Sequence, residues 1–147
     1  MNGSRKDIAY MLVKWVPPNE GWVKMNVDGN CDIGLGTIIA GGVIRNHLKE
    51  WVTGFVLNKG VGSALEAELW GFFEGLSLAW RLGFRCIIME TDSLAILHLL
   101  SQNSIDNHPL FSIITSCKSL MAANGDCRVQ HVFREGNSGW LSASWSW

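Results

Sequence analysis

Trp22-Val23-Lys24-Met25-Asn26-Val27-Asp28 is the stretch that decides the fold, because apolar and polar side chains alternate along it. Residues two apart share one face of a strand, so the three apolar side chains predict a first strand with a buried face, closed by Asp28. Upstream, Pro17-Pro18 and Gly21 favour a lead-in segment without regular structure over residues 1–20. We therefore place the start of the folded domain at residue 21.

An antiparallel meander is predicted directly after this strand. The glycine-rich stretch 29–36 predicts a turn, followed by a second strand over about residues 37–45. A polar segment, 46–50, predicts a hairpin turn into a third strand over about residues 51–57.

The hydrophobic period then changes from that of a strand to that of a helix, between Ser63 and Leu82. One helical stripe contains Leu65, Leu69, Phe72, Leu76 and Ala79. Gly83 supplies the stop signal. The next segment, 86–91, is almost continuously apolar, which is typical of a central strand covered on both faces.

Two further helices, over about 93–101 and 109–123, and a last strand, over about 128–133, complete the order of elements. A right-handed crossover from the third strand to the fourth places a helix on the sheet. The sequence therefore predicts an α/β fold with a mixed five-stranded sheet, three antiparallel strands followed by parallel strands, flanked by helices. We expect the first strand to lie between the second and the fourth.

Composition indicates one folded domain, since 48% of the 147 residues are hydrophobic and only 17% are charged. No apolar run reaches the roughly 20 residues that span a bilayer, so we expect no membrane association. Residues 1–14 contain scattered charges and no apolar core of a secretory signal. We therefore expect an intracellular protein, nuclear or cytoplasmic, and a monomer.

The four cysteines form no CxxC pair and no zinc-type spacing with histidine, which favours reduced thiols over disulfides. Cys86 and Cys117 lie in apolar stretches that predict core positions. The net charge is −1, and the twelve Lys and Arg residues are spread along the chain. Such a charge pattern predicts weak electrostatic attraction to nucleic acid, so any nucleic-acid function must be argued from a site.

Two carboxylates follow strands that we expect to be neighbours. Asp28 precedes a glycine, which also suits simple turn chemistry, and Asp92 precedes a helix, which also suits an N-cap. The carboxyl ends of buried strands are, however, where ligands bind in open α/β sheets. If the first and fourth strands are adjacent, these two carboxylates converge there.

The long helix adds a third acid. At about 100° per residue, Glu68 falls at the edge of the apolar stripe, whereas Glu66 lies beyond it and Glu74 points to the opposite side. We interpret Glu66 and Glu74 as solvated acids. A carboxylate facing the core needs a partner or a metal, because burying it alone costs several kcal/mol.

Three acids directed at one point repel one another, and a divalent cation relieves that repulsion. Oxygen ligands without histidine or cysteine suit Mg²⁺ or Mn²⁺ better than Zn²⁺. Two such ions about 4 Å apart can support phosphodiester cleavage.

Five segments together resemble one known family. They are Trp15-Val16-Pro17-Pro18, Val23 to Gly29, Ala67-Glu68-Leu69-Trp70, Glu90-Thr91-Asp92-Ser93, and His131-Val132-Phe133-Arg134-Glu135-Gly136-Asn137. Over about residues 15–137 the chain resembles the ribonuclease H domain of plant non-LTR retroelement reverse transcriptases and their domesticated relatives.

The resemblance implies a ribonuclease H-like domain over residues 21–137, derived from a reverse-transcriptase polyprotein. It implies that Asp28, Glu68 and Asp92 are the catalytic metal ligands of an endonuclease that uses Mg²⁺ (or Mn²⁺). The substrate would be the RNA strand of an RNA–DNA hybrid, with backbone groups near Gly29 and Asn30 as contacts to the 2′-hydroxyls.

The chain departs from the family pattern after Asn137. Leu141 stands where relatives carry a fourth acid, so residues 138–147 are expected to be an atypical, truncated tail, and catalysis to be impaired. Two alternatives stay open: a catalytically inactive nucleic-acid-binding module, and a protein-interaction domain that uses the sheet and exposed tryptophans.

Overall fold

A computed structural model describes residues 15–123 and 125–133, and the predicted tail, 138–147, lies outside them. The elements in chain order are β1 (Val23–Cys31), β2 (Thr37–Arg45), β3 (Trp51–Val61), α1 (Ala64–Arg81), β4 (Cys86–Thr91), α2 (Leu94–Ser101), α3 (Phe111–Ala123) and β5 (Asp126–His131). None of the described helices is both long and apolar enough to span a bilayer.

The five strands form one mixed sheet in the order β3-β2-β1-β4-β5. Antiparallel pairing joins β1 to β2 and β2 to β3, and parallel pairing joins β1 to β4 and β4 to β5. The predicted α/β class and the central place of the first strand are confirmed.

The first strand is longer than predicted, because antiparallel pairing with β2 continues to Cys31. Asp28 therefore lies inside the strand, opposite Gly41, and does not close it. The turn is confined to 32–36, where the amide of Gly36 donates to the carbonyl of Asp32 over 2.7 Å.

Two other strand boundaries also differ from prediction. Strand β3 reaches Val61 because Thr37, at the start of β2, pairs with it. Strand β5 begins at Asp126 because its parallel register starts opposite Cys86, and it ends at His131.

Helix α1 packs closely on β1 through small residues. A Cβ at Gly71 would lie 3.3 Å from the carbonyl oxygen of Asp28, and one at Gly75 would lie 3.1 Å from Cγ1 of Val27. Larger side chains would therefore push the helix away from the strand. This packing keeps the first turns of α1 beside the middle of β1.

The core lies between the sheet and the helices, and the predicted apolar faces contribute to it. Val23, Met25 and Val27 are buried in it, and so is the α1 stripe except for the partly buried Leu65. Cys117 is also fully buried, as predicted. Cys86 is only partly buried, because it opens β4 next to the largely exposed turn that follows α1.

Candidate active site

Three carboxylates that the sequence singled out come together at one point of the fold. One oxygen from each of Asp28, Glu68 and Asp92 lies within 4.8 Å of the other two, and all three residues are partly buried. They come from β1, from the second turn of α1 and from the residue after β4, so long-range packing brings them together.

The parallel pairing of β1 with β4 sets the distance between the two aspartates. The register runs from Val23 opposite Ile87 to Asn26 opposite Glu90, and it ends there. Asp28 and Asp92 each lie two residues beyond this last pair. At that point β1 remains paired with β2 but no longer with β4. The carboxyl ends of parallel strands in open sheets form ligand-binding clefts of this kind.

The helix after Asp92 is capped by the next residue. The hydroxyl of Ser93 accepts a hydrogen bond from the amide of Ile96 over 3.2 Å, which is the N-cap interaction. The amide of Ser93 in turn donates to the hydroxyl of Thr91 over 3.1 Å. The alternative that Asp92 serves as the helix cap is therefore wrong.

The glycine after Asp28 serves close packing and not a turn. A Cβ at position 29 would lie 2.4 Å from the carbonyl carbon of Ala67 and 2.5 Å from the amide nitrogen of Glu68. Only glycine therefore lets the α1 backbone approach β1 at the level of the carboxylates. The Gly29 amide also donates to Oδ1 of Asp28 over 2.9 Å, which helps to orient that side chain.

The three glutamates of α1 differ in their surroundings. Glu68 belongs to the carboxylate group, whereas Glu66 completes a capping box with Ser63 at the start of the helix. Oε1 of Glu66 lies 3.3 Å from the Ser63 amide that donates to it. Glu66 and Glu74 are both partly exposed, which is compatible with their interpretation as solvated acids. Glu66 has in addition a capping role that was not predicted from the sequence.

His131 lies closer to the site than its sequence position suggested. It pairs with Thr91 in the β4–β5 register, and its Nε2 lies 3.2 Å from the carbonyl oxygen of Asp92. The amide of Val132 donates to the carbonyl of Thr91 over 2.9 Å. The end of β5 thus holds the backbone around Asp92, and only the strand register, which the sequence does not give, reveals this.

Gly29 and Asn30, the predicted substrate contacts, follow Asp28 along β1. Gly29 is partly covered by α1, while Asn30 is exposed and its side-chain oxygen accepts from the amide of Cys31 over 2.9 Å.

The carboxylate group fits a divalent cation of the Mg²⁺ or Mn²⁺ type. Among the described residues, its ligand atoms are carboxylate oxygens only, the donors that hard cations prefer. Three anionic groups within 4.8 Å repel one another, and a bound cation would offset that repulsion. The donor set and its spacing therefore agree with a metal centre.

Comparison with known proteins gives a family match over most of the chain. Residues 26–139 match the family described as reverse transcriptase-like. A provisionally named ribonuclease H protein of Arabidopsis thaliana is 39% identical over 126 residues, which are 86% of this chain and 20% of that protein. The chain thus spans about a fifth of the length of this relative.

Solved structures of ribonucleases H share the fold. Ribonuclease H1 from Halobacterium salinarum has a TM-score of 0.73 and 23% identity, over 80% of this chain and 89% of that one. The N-terminal ribonuclease H domain of a Mycobacterium tuberculosis protein has a TM-score of 0.71 and 20% identity, over 85% and 97%. LC11 ribonuclease H1, solved in complex with an RNA/DNA hybrid, has a TM-score of 0.69 and 15% identity, over 79% and 88%. By its family match and by its fold, this chain belongs to the reverse transcriptase-like family as a plant-type ribonuclease H-like domain.

Proposed function

We propose that this domain is a metal-dependent endonuclease that hydrolyses the RNA strand of RNA–DNA hybrids. The observation that carries the proposal is the convergence of Asp28, Glu68 and Asp92 within 4.8 Å in a ribonuclease H-like fold. Cleavage would leave a 5′-phosphate and a 3′-hydroxyl. We also propose that the domain, 21–137, derives from a reverse-transcriptase polyprotein, which agrees with its match to the reverse transcriptase-like family.

Asp28, Glu68 and Asp92 would hold Mg²⁺ or Mn²⁺. When bound, such a cation activates water and stabilises the leaving oxygen of a phosphodiester. The contribution of the chain is to hold the three carboxylates at a fixed spacing. Asp28 is held by its pairing with Gly41 of β2, and Asp92 directly follows the last paired residue of β4, Thr91. Glu68 is held by the close contact of α1 with Gly29.

Substrate selection is proposed to rest on the segment next to Asp28. The exposed Asn30 and the backbone of Gly29 lie beside the carboxylates, where polar groups can meet the 2′-hydroxyls that distinguish RNA from DNA.

A cleavage assay on a labelled hybrid tests the proposal directly. The purified domain is incubated with Mn²⁺ and then with Mg²⁺, and Asp92→Asn is the control for a contaminating nuclease. We expect RNA fragments from the unaltered chain in Mn²⁺ and none from the variant. Equal cleavage by both proteins, or no cleavage with either metal, would contradict the proposal.

The absence of an acid at position 141 predicts impaired use of Mg²⁺. Mg²⁺ demands near-ideal octahedral coordination, whereas we expect Mn²⁺ to bind such a carboxylate site more tightly. We therefore expect slow or absent cleavage in Mg²⁺ with partial rescue by Mn²⁺. Leu141→Asp should raise the Mg²⁺-supported rate, and Leu141→Asn, which adds no charge, is the matched control. Full Mg²⁺ activity of the unaltered chain would refute the impairment.

A second candidate function is a catalytically inactive module that binds nucleic acid. It is favoured by Leu141, which stands where the family pattern has a fourth acid. Hybrid binding that is equal with and without divalent metal, combined with no cleavage in Mn²⁺, would select this function over the first.

A further inference from the structure

A group of buried polar side chains alternates along β1 and β4 with the residues that face α1, and it lies just before Asp28 and Asp92 on these strands. Along β1, Lys24 and Asn26 alternate with the apolar residues that face the core, and they are only 6% and 2% exposed. On the neighbouring strand, Glu90 is 3% exposed. We call these three residues the inter-strand network, because they belong to β1 and β4.

Short contacts join the members of the network to each other and to the segment before β1. Nζ of Lys24 lies 3.7 Å from Oε2 of Glu90 and donates to the carbonyl of Val16 over 2.7 Å. The indole Nε1 of Trp15 donates to Oε1 of Glu90 over 3.0 Å. The segment before β1 therefore closes the network on its outer side.

Stability alone is a poor explanation for this network. Burial raises the pKa of the Glu90 carboxyl above its ordinary value. The charge of Lys24 and the hydrogen bonds from Trp15 and Asn26 lower it, but they do not fully offset the effect of burial. The buried Oδ1 of Asn26 accepts no hydrogen bond within the part of the chain that the structure describes. Replacing a buried ion pair by well-packed apolar residues is often neutral or stabilising, so such groups need another reason.

The position of the network along the strands supplies that reason. Asn26 and Glu90 are the last residues that pair between β1 and β4. Asp28 and Asp92 lie two residues further on each strand, beyond the end of the pairing. This last pair is therefore the nearest direct link between the two strands before the aspartates, and without it their spacing depends only on the outer partners β2 and β5.

We propose that Lys24, Asn26 and Glu90 are positioning residues that lock the last paired step of β1 and β4 and thereby fix the spacing of Asp28 and Asp92 for cation binding. The role toward a cation rests on the proposed function, whereas the effect on the strand ends does not.

The decisive variant replaces the ion pair by apolar side chains, Lys24→Met with Glu90→Leu. Each single change should lower the melting temperature, because it removes one partner of the buried ion pair and keeps the other buried charge. The double change removes both charges and should restore most of the melting temperature, with a remaining loss because Arg45, whose charge also interacts with Glu90, loses that anion. Affinity for Mn²⁺, measured by electron paramagnetic resonance without substrate, should nevertheless stay about 10–100-fold weaker in the double variant, as for other residues that orient metal ligands. A network with a purely structural role would recover both properties together.

Asp126→Asn is the matched control. It breaks the exposed pair of Arg128 and Asp126, 3.4 Å apart, at the start of β5 and away from the carboxylates. It should leave Mn²⁺ affinity unchanged. If the double variant does not fold, Glu90→Gln keeps the side-chain shape, and it should weaken Mn²⁺ binding less than the loss of the pair but measurably more than Asp126→Asn.

Hydrogen exchange provides a readout that needs no metal. The amide of Gly29 bonds to Asp28, and the amide of Ser93 bonds to Thr91, so both report on the strand ends. Both amides should exchange at least severalfold faster in the double variant. Unchanged exchange together with Mn²⁺ affinity equal to that of the unaltered chain would overturn the positioning role. If the unaltered chain binds no Mn²⁺, the proposed function fails, and the exchange rates alone then decide whether the network positions the strand ends.

Discussion

Glu66 and Glu68 are two residues apart on α1, and their different surroundings lead to a direct test of the site. Glu68 belongs to the carboxylate group, and Glu66 accepts hydrogen bonds from Ser63 in a capping box. Glutamine can replace glutamate in a capping box, so each change to glutamine preserves the helix start.

We expect Glu68→Gln to abolish metal-dependent hybrid cleavage, because it removes one negative charge from the carboxylate group. Glu66→Gln should keep the activity within about twofold and change the free energy of unfolding by less than about 0.5 kcal/mol, as for ordinary surface changes. Cleavage rates and chemical denaturation measure the two effects. Equal loss of activity in both variants would contradict the assignment of Glu68.

The buried thiol of Cys117 allows a test of the core that does not depend on the function of the domain. It is fully buried in the core, and burial raises the pKa of its thiol to about 12. Since only the thiolate reacts, about one molecule in ten thousand would be reactive at pH 8 even if a reagent could enter.

Labelling with a thiol reagent at pH 8 should therefore leave Cys117 unmodified until the protein unfolds. Cys31 and Cys86, which are partly exposed, should react first, and Cys127 more slowly, because burial raises the pKa of its thiol to about 11. Cys117→Ser should leave the number of fast-reacting thiols unchanged. Rapid modification of Cys117 in the folded protein would show that the core around α3 is open.

Single residues were predicted unevenly from the sequence, for physical reasons. The helical wheel and the end of the apolar strand before Asp92 are local patterns, and they identified Glu68 and Asp92. Asp28 was identified as the end of the apolar alternation, although the strand itself continues to Cys31. The N-cap of α2 could not be identified from the sequence, because Asp92 and Ser93 are equally good N-cap residues. Only the backbone geometry shows that Ser93 is the cap. The roles of Lys24, Asn26 and Glu90 depend on contacts with a segment that the sequence shows only as a lead-in.

At the scale of elements, the contact between β1 and α1 is the feature on which the site depends. Gly29 lets the backbone of Ala67 and Glu68 approach the strand, and Gly71 and Gly75 continue the contact along the helix. Glycine inside a helix costs up to about 1 kcal/mol relative to alanine, so close packing must offset this cost.

Gly29→Ala should therefore impair both the fold and the site. The new Cβ would overlap backbone atoms at 2.4–2.5 Å, which no rotamer change can relieve, so α1 must shift near Glu68. We expect a loss of about 1–3 kcal/mol in the free energy of unfolding, the usual range for overpacking, together with a large loss of Mn²⁺-supported cleavage.

Gly21→Ala is the matched control, because no atom lies within 4 Å of a Cβ there. Its φ of +86° adds local strain, so it should reduce stability but not cleavage. Normal activity of Gly29→Ala would contradict the role of this contact.

The type of each element, strand or helix, was predicted better than its first and last residues. The change of hydrophobic period separated strands from helices, but it could not show that β1 continues past Asp28. That extension depends on pairing with β2, a contact between residues distant in sequence.

At the scale of the whole molecule, the order of elements and the crossover rule were enough to predict the sheet, including the central place of β1. Which surface faces a substrate does not follow from that order. It depends on the distribution of charge over the surface of the domain.

Several cations of this chain are engaged by its own tryptophans. Arg45 lies 5.3 Å from the ring centroids of both Trp15 and Trp51, and Arg85 lies 3.6 Å from that of Trp80. Lys59 and Arg128 lie over Trp70 and Trp22, at 4.2 Å and 4.4 Å. Among the residues that the structure describes, these contacts and the buried Lys24 leave three further cations for phosphate groups, Lys49, Arg81 and Lys118. The net charge of −1 further limits the attraction of the chain for phosphate.

Binding of a hybrid to the isolated domain should therefore be weak and depend only slightly on salt. Each neutralised phosphate contributes about −0.9 to the slope of log affinity against log salt for a B-form duplex, a rough guide for a hybrid. We expect a slope shallower than about −3, measured by fluorescence anisotropy without divalent metal.

Asn30→Lys adds one cation beside Asp28 and should steepen the slope by about 0.9 if that segment faces the phosphate backbone. Lys49→Gln, in the hairpin between β2 and β3, removes one cation away from the carboxylates and should leave the slope unchanged. Tight binding of the unaltered domain at physiological salt would show that the engaged cations are released to the nucleic acid, and the proposed weak electrostatic attraction would be wrong.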